Sequence, residues 1–292
     1  MFDKICFIDQ YLFIIYESKV VYYRKGDLLE LNTKNMKKYL VLIAVLIIVA
    51  VFVPACDLEY YVDDSTPVSG NLDVYFIDVG QGDSIFIHTP SGNTILIDGG
   101  EANQGDNVLN FLQDQGVDKL DVVIATHAHA DHIGGLITVM ENMDVDAVYM
   151  PKAVHNSKTF ERFVLAVKEK GLKFKSAYAG VELSLEDVNA KFVGPAQKDS
   201  YEDLNNSSAV LRLVYGDVGF LFTGDAEIES EDEMLSSGQR LEAHVLKVGH
   251  HGSTTSTSEE FLREVSPEHA IISCGAGNKY GHPHDEIIER LE

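Results

Sequence analysis

The chain has few basic residues, and this shortage narrows the functions it can have. Its 292 residues contain 23 Lys and Arg against 46 Asp and Glu, which gives a formal net charge of −23. Nucleic-acid binding normally depends on basic residues that contact phosphates, and no basic patch is visible along the sequence. The acidity therefore argues against tight nonspecific DNA binding. It fits a saline or secreted setting, because net charge governs solubility and not fold.

Cysteine is also scarce. The three cysteines, Cys6, Cys56 and Cys274, have no paired spacing. The spacing therefore indicates neither a disulfide framework nor a CxxC metal knuckle.

A single long apolar run, residues 39–53, lies near the N-terminus. Lys37 and Lys38 precede it and 54–56 (Pro-Ala-Cys) follow, a pattern typical of a secretory signal with a lipoprotein processing box at Cys56. The alternative is an uncleaved membrane anchor, although a full span needs about 20 residues. Either way we expect an exported protein, tethered to the outer face of the cytoplasmic membrane.

The sequence divides into four parts. A signal that starts at Met36 would have ordinary length, so we interpret residues 1–35 as an untranslated extension. Residues 36–56 are the predicted signal or anchor, residues 57–70 form a polar linker, and residues 71–292 form a hydrolase domain. The sequence stops inside a helix pattern at 290–292, so we predict a truncated C-terminus.

From residue 71 onward, short strand patterns alternate with amphipathic helix patterns, which favours sheets covered by helices. The predicted strands are 72–79, 84–88, 94–97, 120–125, 145–150, 172–178, 190–193, 209–215, 218–223 and 243–248. The predicted helices are 106–115, 133–142, 158–170, 226–236 and 258–265.

The most informative motif places four metal-ligand residues within six positions, directly after the strand 120–125. His127 and His129 leave an extended segment on one side, whereas Asp131 and His132 can face a second point. This spacing suits two metals better than one. Imidazole and carboxylate ligands are typical of zinc, manganese or iron.

Other ligand-type residues follow later strand patterns, where functional sites gather. Asp225 ends one strand pattern, and His250 and His251 end another. His282 and His284 form a third histidine stretch. With the first motif, Asp225 and His250 complete a binuclear set.

The segment 127–132 (His-Ala-His-Ala-Asp-His) resembles the signature of the metallo-β-lactamase superfamily, and Asp98, Asp225 and His250 match its other motifs. More narrowly, the sequence is similar to the hydrolase domain of ComEC-type competence proteins in segments 78–84, 205–208, 247–253 and 280–284. The resemblance covers residues 71–292. It implies an α/β (α+β) protein with the αββα four-layer sandwich and a metal centre at one edge of the sheets.

Carried over residue by residue, the resemblance implies two divalent metals, with zinc favoured and manganese or iron as alternatives. His127 and His129 would hold one metal, and Asp131, His132 and His250 the other, with Asp225 between them and His251 as the alternative to His250. Asp98 would orient the histidine loop. Many superfamily members carry a further histidine where this chain has 205–208 (Asn-Asn-Ser-Ser), so we expect the metal at His127 and His129 to be held less tightly.

The predicted chemistry is metal-assisted hydrolysis, in which the metals lower the pKa of water towards about 7 and clamp the reacting oxygens. Asp131 would orient the nucleophile as well as bind metal, and His282 and His284 would protonate a leaving group or hold a phosphate. Hydrogen bonds to the substrate would come from Asn206, Ser207 and Ser253. Gln81 and Asp83 would line the pocket edge.

We therefore predict a phosphodiesterase or nuclease that acts outside the cytoplasm, with DNA among its candidate substrates. ComEC-type proteins also carry a multi-span channel region. This chain has one apolar segment, so it is predicted to be a stand-alone exported hydrolase. The alternatives are a hydrolase of a small phosphodiester or other ester, and a surface-tethered protein whose metal site is not catalytic.

Overall fold

The computed structural model describes residues 4–8, 11–16, 19–24, 70–152, 155–198 and 200–292. The predicted signal or anchor at 36–56 and all but the last residue of the predicted linker at 57–70 lie outside these residues. Both stay predictions, as does the untranslated extension. Within the described part of the chain, none of the helices is both long and apolar enough to cross a membrane.

The first of two sheets has nine strands that follow one another in chain order. Strands β1 to β6 pair antiparallel, whereas β6 to β9 pair parallel. The strands are β1 (Lys4–Ile8), β2 (Tyr11–Tyr16), β3 (Lys19–Arg24), β4 (Asp73–Phe76), β5 (Ile85–His88), β6 (Thr94–Ile97), β7 (Lys119–Ile124), β8 (Asp144–Met150) and β9 (Phe174–Ser176).

The second sheet has six strands, again in chain order. Its first four strands pair antiparallel and its last two continue in parallel. The strands are β10 (Glu182–Leu183), β11 (Asn189–Gly194), β12 (Val210–Tyr215), β13 (Val218–Phe222), β14 (Val245–Lys247) and β15 (His269–Ile271).

Six α-helices lie in the described part of the chain, most of them at positions that the sequence pattern predicts. The structure begins the helix after the histidine motif three residues earlier than predicted, so Asp131 and His132 lie in its first turn. The helices are α1 (Gly105–Asp114), α2 (Ala130–Asn142), α3 (Lys158–Glu169), α4 (Ile228–Ser236), α5 (Glu259–Val265) and α6 (Asp285–Leu291).

Three apolar clusters hold these elements in four layers. Between the sheets, Phe76 of β4 lies against Phe222 of β13, with ring centroids 6.3 Å apart. The outer face of the first sheet packs against α1, α2 and α3, and the outer face of the second packs against α4 and α5. Burial of these apolar faces supplies most of the driving force for folding. The arrangement is the predicted αββα sandwich.

Helix α2 approaches the loop after β6 at backbone distance. A Cβ added to Gly135 would lie 2.0 Å from the carbonyl oxygen of Gly99, and one added to Gly134 would lie 2.4 Å from the nitrogen of Ala102. Both contacts are far below van der Waals separation, so only glycine fits at these positions. The two glycines therefore bring the start of α2, and the histidine motif with it, against the end of β6.

Candidate metal centre

The histidine motif lies in the loop between β7 and α2, where the parallel strand ends. His127 is completely buried, and its Nε2 lies 3.0 Å from Nδ1 of His129, the residue that precedes α2. His132 is also completely buried. The strand and the helix thus fix the motif from both ends, and they turn the imidazoles of His127 and His132 towards one point.

Asp98 supports this loop from the end of β6. It is fully buried in a left-handed backbone conformation (φ 55°) and accepts hydrogen bonds from the backbone nitrogen of Thr126 at 2.8 Å and from its hydroxyl at 2.6 Å. His132 Nδ1 donates to the same carboxylate at 2.8 Å. This contact directs Nε2 of His132 to the opposite side, as a carboxylate partner does for a metal-binding histidine.

Asp225 reaches the same point from the second sheet. It follows β13 by three residues and is 2% exposed. One of its oxygens, Oδ2, lies 3.1 Å from His132 Nε2 and 3.9 Å from His127 Nε2. The other oxygen, Oδ1, is buried without a hydrogen-bond partner.

Of the two adjacent histidines after β14, the structure brings His251 to this group and leaves His250 aside. Nε2 of His251 lies 3.3 Å from Asp225 Oδ2 and 3.6 Å from Asp131 Oδ2, while its Nδ1 donates to the carbonyl of Ser273 at 2.9 Å. His250 instead pairs with Glu227 at 2.9 Å. His250 and His251 both have a left-handed backbone conformation (φ 44° and 56°). This conformation directs the two adjacent side chains to different surroundings. The geometry favours His251 over His250 as the ligand.

The grouped atoms fit a divalent cation. Among the described residues, the ligand atoms of His127, His132 and Asp225 lie within 4.8 Å of one another, as do those of Asp131, His132 and His251. His251 Nε2 is near carboxylates but has no hydrogen bond of acceptable geometry. Buried polar atoms normally have partners, so the unpartnered His251 Nε2 and Asp225 Oδ1 indicate a missing ligand.

The side of the centre nearer His129 is more sparsely built. His129 belongs to none of the close ligand groups in the described chain. Within the segment 205–208, Ser208 contacts His127 at Nδ1, on the other side of the ring from Nε2, with its hydroxyl 3.3 Å away and accepting from the backbone nitrogen of Asp225 at 3.1 Å. A hydroxyl is a weak ligand, so the lopsided site that the sequence predicts stays a prediction with this geometry in its favour.

Without a metal, protons take the place of cations. Burial disfavours a charge on His251, but Asp225, Asp131 and Asp83 outweigh it and raise its pKa to about 9. His132 is likewise raised well above its ordinary pKa by Asp225 and Asp98 against the effect of burial. Although burial opposes ionisation of Asp225, His132 and His251 hold its pKa well below the usual range. Metal binding must therefore displace protons from both histidines.

The pKa values of His127 and His129 shift in the opposite direction to those of His132 and His251. Burial, helped by the nearby His132, lowers the pKa of His127 well below its usual value, and burial also lowers that of His129. Both imidazoles are therefore neutral at pH 7, which is the form that binds metal.

A cavity of about 600 Å³ opens above the centre. Its floor includes His129, Asp131, Asp225 and His251, so the ligand atoms are accessible to a small molecule. The walls come from loops of both sheets and carry several polar and charged side chains. They are formed by Gln81, Glu101, Ala130, Asn205, His250, Asn278, Lys279, Tyr280 and His282.

The two later histidines have different surroundings. His282 lines the cavity with Nδ1 buried and unpartnered, and burial together with the neighbouring His250 and His284 lowers its pKa to about 4. His284 is not a lining residue. Its Nδ1 accepts from the backbone nitrogen of Thr254 at 3.0 Å, and the residue caps α6. These contacts position the start of α6 and show no approach to the cavity. The chemical role predicted for His284 therefore stays a prediction.

The predicted hydrogen-bond donors point elsewhere. Asn206 accepts from the backbone nitrogens of Glu227 and Ser230 at the N-terminal end of α4. Ser207 donates to a carbonyl of its own turn. Ser253 contacts Thr255 in its own turn. These contacts fix the loops that carry Asp225 and the histidines.

The two residues predicted at the pocket edge, Gln81 and Asp83, occupy different positions. Gln81 lines the cavity and accepts from the backbone nitrogen of Gly275 at 3.2 Å. Asp83 lies beneath the centre, 1% exposed.

Sequence reasoning missed several residues at the centre. Asn205 lines the cavity and Ser208 contacts His127, whereas Glu227 contacts His250 and Lys247 contacts the carbonyl before Asp225. Lys247 had a readable signal, since it is a lysine inside the apolar run 245–248. The others follow only from the folded chain.

The sequence and the fold define the family. A sequence model of the metallo-beta-lactamase superfamily matches residues 77–276, more than half of the chain, and the chain belongs to this superfamily. Its members are generally metal-dependent hydrolases. The narrower resemblance to ComEC-type competence proteins is confirmed as well. The chain is 34% identical over 242 residues to ComE operon protein 3 of Bacillus subtilis, and 30% identical over 215 residues to competence protein ComA of Neisseria gonorrhoeae.

These alignments take in 77% and 73% of the chain but only 31% and 28% of the two relatives, so the chain spans less than a third of their length. Among solved structures, the metallo-beta-lactamase fold protein YhfI of Bacillus subtilis matches 75% of this chain and 91% of its own, with a TM-score of 0.48 and 14% identity.

Proposed function

We propose that the chain is a metal-dependent phosphodiesterase that cleaves a phosphodiester outside the cytoplasm. The observation that carries the proposal is the clustering of Asp131, Asp225 and His251, which line the floor of an open cavity, around the buried His132. Converging histidines and carboxylates at a cavity floor are typical of hydrolytic metal sites.

Asp131, His132, His251 and Asp225 would hold one divalent cation, and His127 and His129, with Asp225 shared, would hold a second. Bound cations would supply a nucleophile near neutral pH and neutralise negative charge on a phosphoryl group. Asp98 and the Ser273 carbonyl keep Nε2 of His132 and of His251 turned inward. Asp131 lines the cavity and would also accept a hydrogen bond from the attacking water.

His282 and His250 form the wall that would face the substrate. Their ring centroids lie 5.4 Å apart. With a pKa near 4, His282 is neutral at pH 7, which favours holding a phosphate oxygen through N–H over donating a full proton. Glu227 accepts from His250 Nδ1 and thereby turns Nε2 of His250 towards Asn205, 3.5 Å away.

The relatives give the substrate class its support. One of them, from Neisseria gonorrhoeae, is named as a competence protein, which points to nucleic acid. The net charge of −23 favours a substrate bound locally at the cavity over a long duplex held by surface charge. We therefore propose short or single-stranded DNA as the substrate, with zinc as the first metal to test.

The proposal is tested on the purified chain with metal analysis and with hydrolysis of bis-p-nitrophenyl phosphate and of single- and double-stranded DNA in zinc, manganese and iron. Asp131→Ala should abolish hydrolysis while the circular dichroism spectrum is retained, and Asp146→Ala, on the exposed end of β8, should keep full activity. A protein that binds metal but hydrolyses none of these substrates would instead be a binding protein. Cleavage of the small ester alone would favour a small phosphodiester.

Export and tethering through Cys56 form part of the same proposal. Mass analysis of the natural N-terminus should find a lipidated Cys56 and no peptide from residues 1–35. A Cys56→Ser variant should be released from the membrane fraction. Recovery of peptides from residues 1–35 in the mature protein would overturn the predicted start at Met36.

A further inference from the structure

A lysine lies beneath the metal centre with its charge completely buried. Lys247, the last residue of β14, is 0% exposed, and no other lysine or arginine in 70–152, 155–198 or 200–292 is buried to this degree. Its Nζ lies 2.5 Å from Asp83 Oδ2 and donates to the carbonyl of Gly224 at 3.1 Å. A buried ammonium is costly, and contacts of this quality are needed to keep it there.

Its partner Asp83 has the position of a metal ligand. Asp83 forms one close ligand group with Asp225 and His251, and another with Asp98 and His132. Its Oδ1 is buried without a hydrogen-bond partner, 3.7 Å from His251 Nδ1. By distance alone, a cation could bind on this side of the histidines, away from the cavity.

Lys247 blocks that alternative. Its ammonium holds one oxygen of Asp83, and its positive charge repels a cation that approaches from below. The same ammonium fixes the carbonyl of Gly224, the residue directly before Asp225. One side chain thus restrains both carboxylates, the one that should bind a cation and the one that should not.

We propose that Lys247 is a positioning residue that withholds Asp83 from the metals and directs them to the cavity side, onto Asp131 and Asp225. The inference rests on the metal centre of the proposed function. Lys247 and Asp83 together then determine which carboxylates coordinate the metals.

The test compares wild type with Lys247→Met, which keeps the length of the side chain without its charge, and with Asp83→Asn/Lys247→Met, which removes both charges. Zinc stoichiometry and Kd are measured by calorimetry, and coordination by the visible absorption of the cobalt-substituted protein. Lys247→Met frees Asp83, so its cobalt spectrum should shift to that of a higher coordination number, and kcat should fall about 10–100-fold. KM should change little, because the cavity wall is untouched.

The double variant should regain the wild-type cobalt spectrum and stoichiometry, since no freed carboxylate remains. If Asp83 is a ligand in the wild type, the double variant should instead lose about 10-fold or more in zinc affinity, and the inference falls. The double variant also decides the matter if Lys247→Met alone does not fold. Lys119→Met, which removes the lysine of the exposed pair with Asp146, is the matched control and should match wild type.

Two outcomes separate the inference from the function on which it rests. A wild type that binds no zinc or cobalt overturns the metal centre itself. A wild type that binds metal, with an identical spectrum, stoichiometry and kcat in Lys247→Met, overturns the role of Lys247 alone. A lower Tm with unchanged metal binding would make the lysine merely structural, and it would also refute the inference.

Discussion

In the metal-free protein, stability should fall as the pH rises from 6.5 to about 9, because over this range the folded state keeps a proton on His251 that the unfolded state has already released. The side chain is 1% exposed, and the carboxylates of Asp225, Asp131 and Asp83 raise its pKa from 6.5 to about 9. A group whose pKa is higher in the folded state stabilises fully below its unfolded pKa and loses that contribution as the pH passes the folded value. The difference corresponds to about 3 kcal/mol.

This figure counts the attraction between His251 and its carboxylates once, so the lowered pKa of Asp225 is not an additional contribution. The depressed pKa values of the carboxylates act below pH 4, outside this window. His132, whose pKa is also raised, adds to the loss in the same direction.

The measurement is urea unfolding of chelator-treated protein at several pH values from 6 to 9.5. The wild type should lose at least about 3 kcal/mol of unfolding free energy across the series, the contribution of His251 alone. His251→Gln should lose clearly less, whereas His88→Gln, at the exposed end of β5, should follow the wild type. A flat wild-type profile, or equal slopes for wild type and His251→Gln, would refute the reasoning.

Three further predictions concern the support of the centre. Asp98→Asn should weaken zinc binding about 10–100-fold by calorimetry, because the neutral amide no longer polarises His132; unchanged affinity would remove Asp98 from the centre. Gly82→Ala should lower Tm and zinc affinity together, since its Cβ would lie 2.1 Å from the carbonyl oxygen of Asp131 and its φ is +124°; an unchanged melting curve would contradict this. His284→Ala should cost about 1 kcal/mol in urea unfolding through loss of the contact at the start of α6, with kcat unchanged; a loss of kcat without loss of stability would restore its catalytic role.

The sequence predicts the layers well because each strand and helix carries its own periodicity. The strand 120–125 is apolar and β-branched, and it forms β7 with only its ends shifted. The pattern 258–265 begins with a serine, and Ser258 caps α5 by accepting from the backbone nitrogen of Phe261. Such local signals act within a few residues, so they survive folding unchanged.

The choice between His250 and His251 could not be made from the sequence. Alternation along an extended chain only says that the two point apart, and it does not say which points inward. In the structure, the left-handed backbone conformation of both residues turns His251 towards the centre. Neither histidine is a residue type whose presence predicts that conformation. The pairing of Asp83 with Lys247 is equally nonlocal, because it joins residues from different sheets.

The contact of Gly134 and Gly135 with the loop after β6 has a consequence for how metal preference can change in this fold. Main-chain atoms meet there without an intervening side chain, so no rotamer change can lengthen or shorten the distance between α2 and β6. The spacing of the motif is therefore a constant of the scaffold. In this chain, a change of metal preference is therefore expected to come from exchange of ligand side chains and not from a change in this spacing.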